Sequence, residues 1–297
     1  MTDVPDATRT DVLGLDLGPG ELPTSAVQWQ ERLRQALLRL ASDHGTEQER
    51  LWEQVRITAD DGPDGHVAQV SIDVSGARVG DGDPFVIFQG ADNPPQVPVQ
   101  EETTIDLVHV QGDPVHIQGV PFRARAQLQN MPVAFGRDAA GRTWALAHGE
   151  RIARDLRGTG RISAPMEDLR SKAHDLAATE LDKLGLTLAE LKMRVRTPDP
   201  RQARVQVQVK ARKAMLSATV RVDVSARVDE AMVVHVGEAE ISAPNPLVAV
   251  AVGALRRRVD RYSNTSIDLN DRMPPGIRLV DVRLDAGTEF VAEASFD

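Results

Sequence analysis

The chain has 297 residues, 41% of them hydrophobic and 27% charged, which fits a folded protein of one large domain or two of ordinary size. It contains no cysteine, so disulfides, thiolate catalysis and Cys-based zinc or iron–sulfur centres are excluded. A net charge of −9 and an aromatic content of 3% argue against a nucleic-acid partner, which calls for cationic surface and stacking platforms.

The charge is unevenly spread. Residues 1–150 carry 11 Lys+Arg against 23 Asp+Glu, whereas residues 151–297 carry 24 against 21. No run approaches the roughly 18 apolar residues of a membrane span. The acidic N-terminus has no apolar core of a signal peptide. The expected location is therefore the cytoplasm, with peripheral membrane contact from outside the bilayer still open.

Taken in order, residues 1–22 are expected to form a mobile tail. Ser25 and Gln28 fit a capping box, and Ala26, Trp29, Leu33, Ala36, Leu37 and Leu40 recur at helical spacing before Gly45. Val67–Val74 alternates as a strand. Phe85–Phe88 is a short apolar run, read either as a buried strand or as an exposed tip. Thr104–Val110 and Val115–Val120 flank Gln111-Gly112-Asp113-Pro114 and predict a hairpin turning there. Phe122–Leu128 and Trp144–Ala147 are further strands. The polar stretch Glu150–Ser163 predicts a junction between a first module, 23–150, and a second, 163–297.

In the second half Pro165–Leu184 predicts a helix, with Pro165 in its first turn, acidic Glu167 and Asp168 at its positive end and Gly185 after it. Arg204–Ile241 then alternates at length: Val205, Val207, Val209 and Ala211, followed by Ala218, Val220, Val222, Val224 and Ala226. Such alternation predicts antiparallel strands with one apolar and one wet face. Pro246–Arg261 predicts a helix that could cover the apolar face, and Ile277–Leu284 and Glu289–Phe296 predict closing strands. The order helix, glycine, strand occurs twice at an offset of 140 residues, which suggests a duplicated plan.

Residues 165–285 resemble the actinobacterial LmeA-type family of phospholipid-binding proteins, related to the tubular lipid-binding (TULIP) superfamily. The resemblance lies in LDKLGL at Leu181–Leu186, the strand LKMRVR after it, the paired Val-rich strands, EAEISAPNPLVAVAVGALRRRVDR at Glu238–Arg261, and MPPGIRLVDVRLDAG at Met273–Gly287. In the first half only VHIQGVPFRA, Val115–Ala124, is similar. The resemblance implies an α+β fold in which long helices are wrapped by a curved, mainly antiparallel sheet, here as two tandem modules. It also implies an apolar groove for acyl chains and a role in binding or moving lipid at the cell envelope. Members of the family are usually exported or membrane-anchored, a feature with no counterpart here.

The expected function is non-enzymatic binding, with possible transfer, of phospholipid or another acyl-chain lipid, without a cofactor or metal. Leu176, Val220, Val222, Val234, Leu247, Val250 and Leu255 are the expected groove residues. Arg256, Arg257, Arg258 and Arg261 are candidates for contact with lipid phosphates or an anionic membrane, although cations also simply suit the C-terminal end of a helix. His109 and His116, with Asp106 nearby, would face each other across the hairpin, but two histidines read better as paired strand side chains than as a metal site. The alternatives are a scaffold with a filled core that works through protein contacts, and a hydrolase acting on lipid with Ser or Asp supplied from loops.

Overall fold

The structure, a computed structural model, describes residues 12–43, 55–62, 67–79, 97–213, 216–242 and 264–297. It is an α+β fold dominated by two sheets, with three helices among the described residues. The expected apolar run Phe85–Phe88 and helix Pro246–Arg261 lie outside the described residues.

The first sheet is mixed and has ten strands. Its backbone is the order β15 (Leu279–Ala286), β16 (Glu289–Phe296), β8 (Arg157–Pro165), β6 (Val120–Arg137), β5 (Val99–Ile117), β3 (Val67–Asp73), β2 (Arg56–Asp61). β1 (Val12–Pro19) pairs with β7 (Arg142–His148), which pairs with β6, and the short β4 (Arg78–Val79) runs parallel to β5, as β3 does. The expected tail 1–22 therefore needs correcting, because its residues 12–19 are an antiparallel strand. Leu13, Leu15 and Leu17 alternate there, and Leu17 is 1% exposed.

The long hairpin β5–β6 also corrects an expectation. The chain turns at Gln118–Gly119, not at Gln111–Pro114. Gln118 and Gly119 have φ of 51° and 83°, and Ile117 pairs with Val120, which is a two-residue turn with both central residues left-handed. The Gly112–Pro114 segment is absorbed as a bulge between Gly112 and Val115. His109 and His116 thus lie along one strand, opposite Gln127 and Pro121, and do not face each other.

β6 forks the sheet. Residues 123–129 pair with β8, while residues 134–137 pair with β7 on the same edge, and Asn130, with φ 57°, lies between the two segments. From Phe122 to Gln129 only alternate residues are sheltered. From Pro132 to Gly136 every residue is buried, because this part of the strand is packed on both faces.

The expected junction 150–163 is instead a helix and a central strand. Helix α2 (Gly149–Asp155) buries Ile152, Leu156 after it is fully buried, and β8 pairs with both β6 and β16. Strands from both expected modules therefore share one sheet, with β15 and β16 extending the first-half edge.

The second sheet runs β14 (Ser266–Asp268), β12 (Val233–Val236), β11 (Leu216–Val228), β10 (Gln202–Lys213), β9 (Thr187–Asp199), with β13 (Glu240–Ser242) also on β11. The expected alternation appears as cross-strand rows on one face: Leu191–Val209–Val220, Met193–Val207–Val222 and Val195–Val205–Val224. The opposite face carries Lys192, Arg194, Gln206, Gln208, Arg221 and Asp223.

Helix α3 (Met166–Asp182) precedes this sheet and packs on β9, as helix α1 (Ala26–Asp43) packs on β2. After α3 the Leu186 amide donates to Leu181 O, with Gly185 left-handed at φ 64°.

The two sheets meet at a small core of Val228, Met232, Leu279 and Val282, joined by Val234, Leu269, Met273, Leu284 and Phe296. Beside it, the Leu284 amide donates to Pro200 O at 2.6 Å and the Arg201 guanidinium donates to Asp281 Oδ1 at 2.7 Å. The Arg201 hydrogen bond, opposed by desolvation and helped by Arg283, holds the Asp281 carboxyl below the ordinary aspartate value. Hydrogen bonds from Arg204 do the same for Asp223, and those from Ser75 for Asp73.

A carboxylate whose folded-state pKa is depressed stabilises the fold above its unfolded pKa and loses that contribution as pH falls through the folded value. The melting temperature is therefore expected to stay level between about pH 7 and 5 and to fall below about pH 4. A melting temperature that rises on acidification to pH 3 would contradict this.

Candidate functional site

The first-half core forms between α1 and one face of the strands β1–β7–β6–β5–β3. The α1 N-terminus is capped twice: the Gln28 amide donates to Ser25 Oγ at 3.5 Å, and Asp61 Oδ1 accepts from the Ala26 amide. Gln28 Oε1 in turn accepts from the Thr24 amide at 2.9 Å, one residue earlier than a standard capping box. Along the helix Trp29, Leu33 and Leu37 fall at i, i+4 and i+8 and face the sheet. Trp29 meets Phe135 of β6 with ring centroids 4.7 Å apart and planes tilted by 47°.

The sheet under this helix has a hollow, and its register explains why. Leu15 of β1, Ala145 of β7, Phe135 of β6 and Glu101 of β5 form one cross-strand row, with the small Ala145 between two large side chains. The neighbouring pairs Leu13–Ala147, Val133–Thr103 and Met131–Ile105 line the same space. The result is a cavity of about 330 Å³ with an almost wholly apolar lining, at the lower end of the size of ligand sites. Trp29, Val67, Val70, Val133, Phe135 and Leu146 form its buried floor. Glu101, exposed, and Thr103, half-buried, are the polar groups on its rim.

A larger concavity of about 790 Å³ lies on the face of β5, β6, β8, β16 and β15 that carries His109, Arg125, Arg161, Arg283, Asp281 and Glu293. Its charges are largely neutralised in place: Arg161 pairs with Glu293, and Arg283 with Asp281 at 3.0 Å. It has no apolar floor that would hold a ligand out of water. The smaller, apolar cavity is the better candidate despite its size.

The expected groove residues are distributed differently. Leu176 is 53% exposed on α3. Val220, buried, and Val222, half-buried, lie on the apolar face of β11, and Val234 pairs with Val228 and joins the core between the sheets. Leu247, Val250 and Leu255, like Arg256, Arg257, Arg258 and Arg261, lie outside the described residues. The cavity residues Leu13, Leu15, Ala145 and Met131 were not singled out in the sequence. The alternation of Leu13 and Leu15, and the Trp29–Leu33–Leu37 stripe, are the signals that could have found them.

Asp229 Oδ2 lies 2.7 Å from His235 Nε2, and His235 Nδ1 lies 3.0 Å from Ser266 Oγ. His235 and Ser266 are register partners on β12 and the edge strand β14, and Asp229 Oδ1 also accepts from the amides of Ala231 and Val233. The series ties the Asp229–Met232 turn to the sheet edge. Ser266 is solvent-exposed, on the rim of the sheet and outside both concavities described above. Among the described residues, no group of three His, Asp or Glu is placed to hold a metal ion. No described helix is long and apolar enough to cross a membrane.

Comparison of the chain with protein families, curated proteins and solved structures found no match.

Proposed function

We propose that the protein binds the acyl chain of a lipid, without chemistry, in the apolar cavity between α1 and the first sheet. The observation that carries this reading is the roughly 330 Å³ hollow lined by Leu15, Trp29, Leu33, Met131, Phe135 and Ala145. Each methylene moved there from water contributes about 0.8 kcal/mol. A helix of 18 residues packed on the first sheet and a second helix of 17 residues preceding the other sheet support a TULIP-like, LmeA-like arrangement and a duplicated plan. On this reading the first half holds its own lipid site, at the place that corresponds to the groove expected between α3 and the second sheet. Delivery to or from a membrane by peripheral contact belongs to the same proposal.

Native mass spectrometry after incubation with phospholipid vesicles and, separately, with dodecanol tests it. The expected result is a one-to-one adduct that extracts as intact lipid. Ala145→Phe, which fills the hollow, is expected to weaken binding about tenfold or more while leaving the melting temperature unchanged or raised, as cavity filling commonly does. A clean apo mass under both conditions would sink lipid carriage and favour a scaffold role through protein contacts.

A further inference from the structure

Beside the cavity, three arginines gather at the end of β1 and the start of the loop that leads to α1. Arg39 Nη2 donates to Asp16 O at 2.8 Å, and Arg137 Nη2 donates to Gly20 O at 3.1 Å. A Cβ on Gly20 would come within 2.9 Å of Arg32 Nη2, and one on Gly18 within 3.4 Å of Arg39 Nη2. Both glycines are left-handed, with φ of 109° and 89°, so bare backbone admits the guanidiniums.

Each of the three keeps a buried N–H without an acceptor among the described residues: Arg32 Nη1, Arg39 Nε and Arg137 Nε. Orphaned donors on cations are costly, and three at one place call for an anion. Four carboxylates lie about this place in the chain: Asp16, Glu21, Glu101 and Asp138, of which Asp138 accepts from Trp144 Nε1 and the Arg142 amide. Asp16 is engaged by Arg142 at 2.7 Å and by the Gly18 amide at 2.8 Å, and Glu101 stands exposed on the cavity rim.

The cluster adjoins the hollow on three elements. Arg32 follows Trp29 by one turn of α1, Arg137 follows Phe135 on the same face of β6, and Gly20 precedes Leu22. Trp29, Phe135 and Leu22 all line the cavity.

We propose that Arg32, Arg39 and Arg137 bind the anionic headgroup of the ligand whose chain fills the cavity, so that the cargo is an anionic amphiphile bearing a carboxylate or a phosphate. The proposal rests on the acyl-chain reading above. Guanidinium groups give charge-assisted, bidentate hydrogen bonds to either anion, and the adjoining apolar wall limits competition from water.

The test compares three ligands with one chain length, dodecanol, dodecanoate and dodecyl phosphate, by calorimetry and intrinsic tryptophan fluorescence at constant salt. Dodecanoate, dodecyl phosphate or both are expected to bind about ten- to hundredfold tighter than dodecanol, and their order distinguishes a carboxylate from a phosphate source. In Arg32→Gln and Arg137→Gln that preference is expected to collapse while dodecanol binding is retained, which also shows that the variants are folded. Equal binding of all three ligands by the unaltered protein would overturn the headgroup site and leave the cavity reading standing. Failure of all three to bind would remove both. Inorganic phosphate that binds as tightly as dodecyl phosphate, and does so equally well in Ala145→Phe, would show a site for a free anion and overturn the amphiphile.

Discussion

Gly276→Val is expected to destabilise the protein by about 2–5 kcal/mol, the sum of a left-handed backbone penalty and an overpacking cost. Gly276 has φ 86°, and a Cβ there would lie 2.3 Å from Gly149 O and 2.7 Å from Gly149 Cα. Those atoms are backbone at the start of α2, which cannot swing aside as a long side chain can. The Met273-Pro274-Pro275-Gly276 turn therefore works as a seat for α2, bringing the entry of β15 against the start of that helix. Gly141→Val is the matched control, since Gly141 has φ 77° but nothing within 4 Å of its Cβ position. The control is expected to lose only the backbone part, about 1–2 kcal/mol. Urea unfolding of the two variants measures the difference, and equal losses would disprove the contact.

Trp29→Ala is expected to cost about 3–5 kcal/mol, as deletion of a buried indole does. Trp29 is 9% exposed and anchors α1 to the first-half core, and its contact with Phe135 is worth about 0.5–1.5 kcal/mol beyond area alone. The variant would also merge the space of the lost ring with the hollow beside it. Thermal unfolding together with a double-mutant cycle on Phe135→Leu isolates the ring–ring part. A coupling indistinguishable from zero would mean that the two rings contribute only by being buried.

Where side chains carry a periodic apolar signal, the sequence and the structure agree. The α1 stripe, the α3 helix with Gly185 after it, and the valine rows of β9, β10 and β11 were all legible, because large apolar residues recur at helical or strand spacing. The misses share a different cause. β8 alternates Arg157, Thr159 and Arg161 with Gly158, Gly160 and Ile162, so glycine stands on the sheltered face where a pattern reading looks for valine. Leu128 and Phe296 fill the space over those glycines instead, and a Cβ on Gly158 would come within 2.6 Å of Leu128 Cδ2.

The turn of the β5–β6 hairpin was misplaced because Gly112-Asp113-Pro114 has turn composition, whereas what a two-residue hairpin requires is left-handed backbone at Gln118 and Gly119. The site was only half legible. Trp29 and Leu33 stood out, but a hollow arises from a small residue placed between large ones across strands. The row Leu15–Ala145–Phe135 exists only once the register is set.

The pairing of β8 with β16 has a consequence for the order of events during synthesis. Glu289 lies opposite Pro165 and Phe296 opposite Gly158, so β8 acquires its outer neighbour only after about 120 further residues have been made. At ribosomal rates of about 5–20 residues per second that is a wait of roughly 6–25 s with a long strand edge unprotected. Arg157 and Arg161 on one face of that edge, and glycines without side chains on the other, make it a poor template for a foreign strand. The same composition that hides β8 from a pattern search keeps the nascent chain from pairing with its neighbours on the polysome.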